Sequence, residues 1–182
     1  MDKLSQVGAL LVQFFFYAYI LIVVLRFLLQ VVRADFYNPL SQFIVSATNP
    51  ILIPLRKLIP GLFGIDIASI VLAIMLQMIA LQLLFLLTGG GGIYPLLPLV
   101  FGSAVKLVGL VLIFYFYSFI ILVVISWVAP HTQNPAISVV NSLTEPVLRP
   151  IRKLMPSMGG LDFSIMIAML GILVIKIVLG VN

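Results

Sequence analysis

Of the chain's 182 residues, 63% are hydrophobic and 8% are charged, where a soluble domain carries about 45–50% apolar and about 25% charged residues. This composition excludes a water-soluble globule, which needs a polar skin, and excludes disorder, which needs the opposite balance. There is no cysteine and one histidine, His131, so thiol chemistry is absent and zinc finds few ligands; the net charge of +5 sits beside apolar segments and points to membrane orientation and anionic headgroups, not to nucleic acid.

In chain order, Lys3 and Arg26 enclose 22 residues without formal charge, and apolar character continues to Val32, giving a first membrane span over about 7–32. It is longer than a signal-peptide core and lacks a small-x-small cleavage site, so it is expected to stay in the mature chain. Arg26 lies inside this span with Gln30 one turn further on, and is expected to snorkel toward the inner surface. A second span covers Ile67–Leu87, ended by Thr88 and the run Gly89–Gly92. Residues 88–104 read as an outer Gly/Pro-rich linker; no Gly-Lys-Ser/Thr follows the glycines, so they are not a phosphate loop. A third span runs over about 107–128 and ends near Ser126 and Trp127. The fourth, 163–181, contains Lys176 close enough to its end to snorkel. Gln13, Gln77 and Gln82 are expected to form hydrogen bonds between helices, and the spaced small residues Ser69/Ala73 and Ser164/Ala168 to allow close helix contact.

The expected fold is therefore all-α, with four transmembrane helices arranged as two helical hairpins. Arg33, Arg56 and Lys57 lie between the first two spans, and Arg149, Arg152 and Lys153 between the last two. The excess of positive charge puts both loops on the cytoplasmic side and both termini outward. Five or more crossings would instead require a re-entrant or translocated basic loop.

The two halves are duplicates. A shift of 96 positions aligns residues 38–66 with 134–162 without a gap, and 13 of these 29 positions are identical. Residues 1–87 form one repeat and 105–182 the other. Because each carries two crossings, the copies are parallel repeats, related by an axis along the membrane normal.

The shared residues concentrate in the loops. Asn38-Pro39 and Asn134-Pro135 combine an N-cap with the residue best suited to the first helical position. An apolar stripe follows, Leu40, Phe43, Ile44 and Ala47 in one copy and Ala136, Val139, Val140 and Leu143 in the other. Pro50 and Pro146 are expected to break this helix and start a second short one. Pro54, Pro60, Pro150 and Pro156 complete the repeated pattern. In the second copy the apolar residues Val147, Leu148, Ile151, Leu154 and Met155 oppose Arg149, Arg152 and Lys153, while the first copy keeps Arg56 and Lys57; this suits amphipathic helices lying in the inner headgroup layer. Three roles stay open for the cations: lipid anchorage, a docking face for an acidic cytosolic partner, or the lining of an ion path. Asp66 and Asp162, just before a span, are expected to cap it and complement its positive end. The alternative is that each pairs with its own copy's Arg or Lys and locks the loop to the span. No nucleophile with a base, carboxylate pair within a span or metal cluster is visible, so neither catalysis nor a cofactor is expected.

The motif Asn-Pro, ten residues, Pro-x-Leu-x-Pro-x-Arg-Lys-Leu-x-Pro, then Gly-x-Asp at the head of an apolar span, resembles the signature of the YggT family, also called YlmG, in its two-copy proteobacterial form. Arg26 in the first span and Ser126-Trp127 in the third also fit; Leu122 and Gln30-Val31 stand at the aligned positions of the other copy. The resemblance implies an inner-membrane protein without established enzymatic activity, in a family associated with cell or plastid division, nucleoid distribution, photosynthetic complex assembly and osmotic tolerance. It points to a membrane scaffold that holds partner proteins, with homo-oligomers also open. An oligomeric ion or osmolyte pathway is the alternative.

Overall fold

The computed structural model describes residues 3–61, 64–129, 134–154 and 162–181. Among them are six helices and no strand: α1 (Lys3–Val31), α2 (Pro39–Leu58), α3 (Ile67–Leu87), α4 (Leu96–Val128), α5 (Pro135–Leu154) and α6 (Phe163–Leu179). His131, Met155, Pro156 and Gly160 lie outside the described residues.

Three helices, α1, α3 and α4, are long and apolar enough to cross a bilayer, with 29, 21 and 33 residues; α6 is apolar but has 17. At about 1.5 Å per residue, α6 reaches about 26 Å, slightly short of a hydrocarbon layer of about 30 Å. Large apolar side chains such as Phe14 and Phe15 on α1, Phe101 on α4 and Ile177 on α6 are exposed. Water would not tolerate so many, whereas lipid covers them at no cost. The chain is a membrane protein.

Two boundaries differ from expectation. The α4 helix begins at Leu96, so residues 96–104 are its first turns instead of linker. Pro95 and Pro98 read as loop signals, but Pro95 supplies the carbonyl that accepts the Leu99 amide at 3.0 Å, and Pro98 falls in the first turn, where no N–H donor is needed. Pro50 and Pro146 do not break their helices either: α2 runs through Pro50 and Pro54, and α5 through Pro146 and Pro150. Each pair is four residues apart, so its rings share one face, and all four prolines are exposed. The carbonyls that lose their N–H partners, those of Ser46, Pro50, Ser142 and Pro146, lie on that same face, where water or headgroups can reach them.

The described residues form two compact units, one of residues 1–27 with 44–108, the other of 28–43 with 109–182. In the first, Ile20, Val23, Ile44, Leu52, Leu72 and Ala73 are buried. In the second, Phe119 of α4, Leu148 of α5 and Ile165, Ala168 and Ile172 of α6 form a core. Ser69 with Ala73, and Ser164 with Ala168, are buried in their respective units.

Candidate functional site

Each loop helix starts from the same cap. The Asn38 Oδ1 accepts the Leu40 amide at 2.9 Å, and the Asn134 Oδ1 accepts the Ala136 amide at 2.8 Å. Pro39 and Pro135 occupy the first helical positions, where their fixed φ is already helical. Asn38 is buried, and its Nδ2 also donates to the Pro135 carbonyl at 2.8 Å within the second unit.

Thr48 and Thr144 lie ten residues beyond the caps and are buried. Their hydroxyls donate back along the helix, Thr48 to the Ile44 carbonyl and Thr144 to the Val140 carbonyl, both at 2.8 Å. In the first copy Arg26 meets this threonine. It is 7% exposed and donates from Nη1 to the Thr48 hydroxyl oxygen at 2.7 Å and to the Val45 carbonyl at 2.9 Å. Arg26, expected to reach toward the inner surface, is buried against α2, which offers it these two acceptors. Tyr19 adds a bond to the Ala47 carbonyl at 3.3 Å, so side chains of α1 hold the stretch just before Pro50.

The far end of each loop helix is tied to the next helix by an ion pair. Arg56 donates to both oxygens of Asp66, from Nε at 3.2 Å and from Nη2 at 2.5 Å, and the Ser69 hydroxyl donates to the same carboxylate. In the second copy the Arg152 Nε donates to Asp162 at 2.9 Å and its Nη1 to Glu145 at 2.7 Å. Asp66 makes no cap hydrogen bond to the backbone of α3, whereas Asp162 also accepts the Ser164 amide at 3.1 Å. Capping is thus secondary. The aspartates lock each loop helix to the following helix, since a guanidinium fork offers a carboxylate more than a helix end does.

Burial alone would push the Asp66 carboxyl up, but Arg56 and Ser69 outweigh it and hold the group below the usual carboxylate range. Asp162 follows the same pattern, with burial opposing and Arg152 and Ser164 prevailing. Burial acts to lower Arg152, yet Asp162 and Glu145 carry it above its ordinary value.

The remaining singled-out residues are dispersed. Lys57, Arg149 and Lys153 are exposed, as are Pro54, Pro60 and Pro150. Gln82 does not bridge helices: its amide nitrogen donates to the Gly92 carbonyl at 3.2 Å and its oxygen accepts the Tyr94 amide at 2.9 Å, fixing the glycine turn. Gln77 is half-buried and Gln13 exposed. The exposed Ser126 hydroxyl donates to the Val123 carbonyl at 2.7 Å within α4. Glu145 is not part of the repeated pattern, since Asn49 stands at its aligned position; a carboxylate seven residues before an arginine on one helix is its signal in the sequence. Among the described residues no cluster of three His, Asp or Glu is placed to hold a metal.

Beside Arg152 and Asp162 the second unit contains a half-open cavity of about 640 Å³, bordered by Leu122, Trp127 and Asn141.

Comparison with known proteins places this architecture. The family profile described as CCB3/YggT matches residues 5–87 and 101–182. An uncharacterised protein of Pseudomonas aeruginosa is 50% identical over 154 residues, 85% of this chain and 78% of that one. The uncharacterised protein YggT of Escherichia coli K12 is 38% identical over 162 residues, 87% of this chain and 81% of its own. An uncharacterised protein of Vibrio alginolyticus is 36% identical over 170 residues, 93% of this chain and 91% of the other. No solved structure matches.

Proposed function

Because the chain belongs to the CCB3/YggT family, we propose that it is a non-enzymatic scaffold or assembly factor of the bacterial inner membrane, its two loop helices docking or stabilising partner proteins at the cytoplasmic face. The observation that carries this reading is the doubled lock, Arg56 on Asp66 and Arg152 on Asp162. A helix needed only for topology requires cationic side chains and no fixed orientation. A helix tied at its end presents a defined face: α2 exposes Lys57 together with Phe43, Ile53 and Leu58, and α5 exposes Arg149 and Lys153. Anionic headgroups contribute about 1 kcal/mol per such cation, which holds the helices at the interface, and an acidic partner surface would compete for the same groups.

Four membrane crossings, with both loop helices in the cytoplasm and both termini in the periplasm, follow from the positive charge of the two loops. Links to cell division or osmotic tolerance would then reflect which complexes the scaffold stabilises. Purification in mild detergent with crosslinking tests the proposal. The triple variant Lys57→Gln, Arg149→Gln and Lys153→Gln leaves both locks intact, and should lose the crosslinked partner without altering reporter-fusion topology. Retention of every partner by that variant would refute the docking face. Selective ion flux through reconstituted protein, abolished by Arg26→Leu, would favour the oligomeric pathway instead.

A further inference from the structure

The cavity beside the second lock has a polar end and an apolar end. On α6 its wall runs from Asp162, at the helix start, to Met169, seven residues or about 10 Å further along. On α4 it runs from Leu122 to Ser126 and Trp127 in the last turns of the helix. The polar end therefore lies where α4 stops and α6 starts, and α5 brings Arg152 onto Asp162 there. Leu122, Met166 and Met169 make the wall beyond it apolar. Irregular backbone cannot follow a helix end inside exposed hydrocarbon, so the end of α4 at Val128 sets this polar end at the boundary between acyl chains and headgroups.

The bonding capacity left at the polar end defines what it can hold. Asp162 has one oxygen engaged by the Arg152 Nε and the other by the Ser164 amide. The Ser126 hydroxyl hydrogen is spent on the Val123 carbonyl. Arg152 has five N–H donors and its bonds to Asp162 and Glu145 use two of them. Asn141 on α5 adds an amide to the same wall. A cation finds the lining carboxylate already paired, and an anion finds a guanidinium already met by two carboxylates. N–H donors without charge demand remain, and they suit a neutral acceptor such as a carbonyl oxygen, carried on an apolar stem that can lie along the rest of the wall.

We propose that this cavity holds one ester-linked tail of a membrane lipid. A glycerol-ester carbonyl accepts from Asn141 and Arg152, and the acyl chain lies along Leu122, Met166 and Met169. The ester layer of a bilayer sits between headgroups and hydrocarbon, the depth at which the polar end stands, and a half-open cavity of about 640 Å³ can take a chain from the surrounding leaflet. The site is independent of the docking face under Proposed function, since Lys57, Arg149 and Lys153 are not part of it.

Native mass spectrometry of the full chain in a non-ionic detergent tests the site, with dioleoylphosphatidylcholine and its diether analogue as the probes. One saturable diester lipid per chain is expected, with the diether at least tenfold weaker. Dioleoylphosphatidylglycerol should bind within threefold of the choline lipid, because headgroup charge is not read. Met166→Trp fills the groove from an exposed position and should weaken the diester lipid at least tenfold. Leu170→Trp, one turn further along α6 and exposed outside the cavity, should leave it unchanged. Asn141→Leu should bring the diester down toward the affinity of the diether, and it carries the test should circular dichroism show that Met166→Trp has not folded. Equal binding of diester and diether, a tenfold preference for the anionic lipid, full retention by folded Met166→Trp, or an equal loss in Leu170→Trp would overturn the proposal. A chain that binds no lipid but crosslinks through position 166 to another protein would also overturn it and assign the groove to a partner helix. None of these variants alters the docking cations, so failure here leaves that reading untouched.

Discussion

The two copies keep the same lock at different depths. In the first, Asp66 is 4% exposed and its partner Arg56 39%; in the second, Asp162 is 32% exposed and Arg152 41%. The first copy also inserts Arg26 from α1 into the loop helix, while the second uses an exposed Glu145 instead. Duplication has therefore retained the tie between loop helix and following helix while relaxing what lies beneath it. The tie is the common requirement, and the interior arginine belongs to one half.

Acid should dissolve the contrast altogether, and this is the largest effect expected. Asp66 and Asp162 both have folded-state values below the usual carboxylate range. Their stabilisation is therefore fully present above that range and is lost as pH falls through the depressed values. Thermal unfolding in detergent should be nearly flat from pH 7 to about pH 4 and then decline, with a shallower decline in the double variant Asp66→Asn, Asp162→Asn.

Single substitutions should restore the asymmetry. Arg56→Gln strands a buried carboxylate and should cost about 3 kcal/mol, whereas Arg152→Gln, at a mostly solvated pair, should cost less than about 1 kcal/mol; equal losses in denaturant titrations would mean the locks do not differ in depth. Arg26→Leu removes two charge-assisted bonds and should cost about 2 kcal/mol. Thr48→Val, which deprives Arg26 of one acceptor, should lower stability by about 1 kcal/mol and Thr144→Val by about half of that, read from the same unfolding curves. Glu145→Gln should sit at the bottom of the series, within about 0.5 kcal/mol of wild type.

Much of the fold was legible in the sequence where a local rule decided it. The α3 helix spans the expected 67–87, an uncharged apolar run that Thr88 and the glycines close. The Asn-Pro starts of α2 and α5 follow from capping chemistry alone. What escaped required knowledge of neighbours. Pro50 reads as a breaker, yet α2 runs through it, and no local pattern names the acceptors of Arg26, the Val45 carbonyl and the Thr48 hydroxyl. The pairing of Asp66 with Arg56 is one of two alternatives in the sequence because the nine intervening residues fix no distance; the fold brings the two side chains to 2.5 Å.

The 33 residues of α4 imply something about depth. At about 1.5 Å each they make a rod of about 50 Å, and fitting it wholly inside about 30 Å of hydrocarbon would demand an inclination near 50°, beyond the 0–40° seen for such helices. Lys106 divides it into unequal parts, and the 22 residues from Leu107 to Val128 suffice to cross. The ten residues ahead of the lysine, with Leu97 and Phe101 exposed, are too apolar to stand in water, so the surplus length of α4 is a demand on the lipid itself, met by inclination and by burial in the headgroup layer.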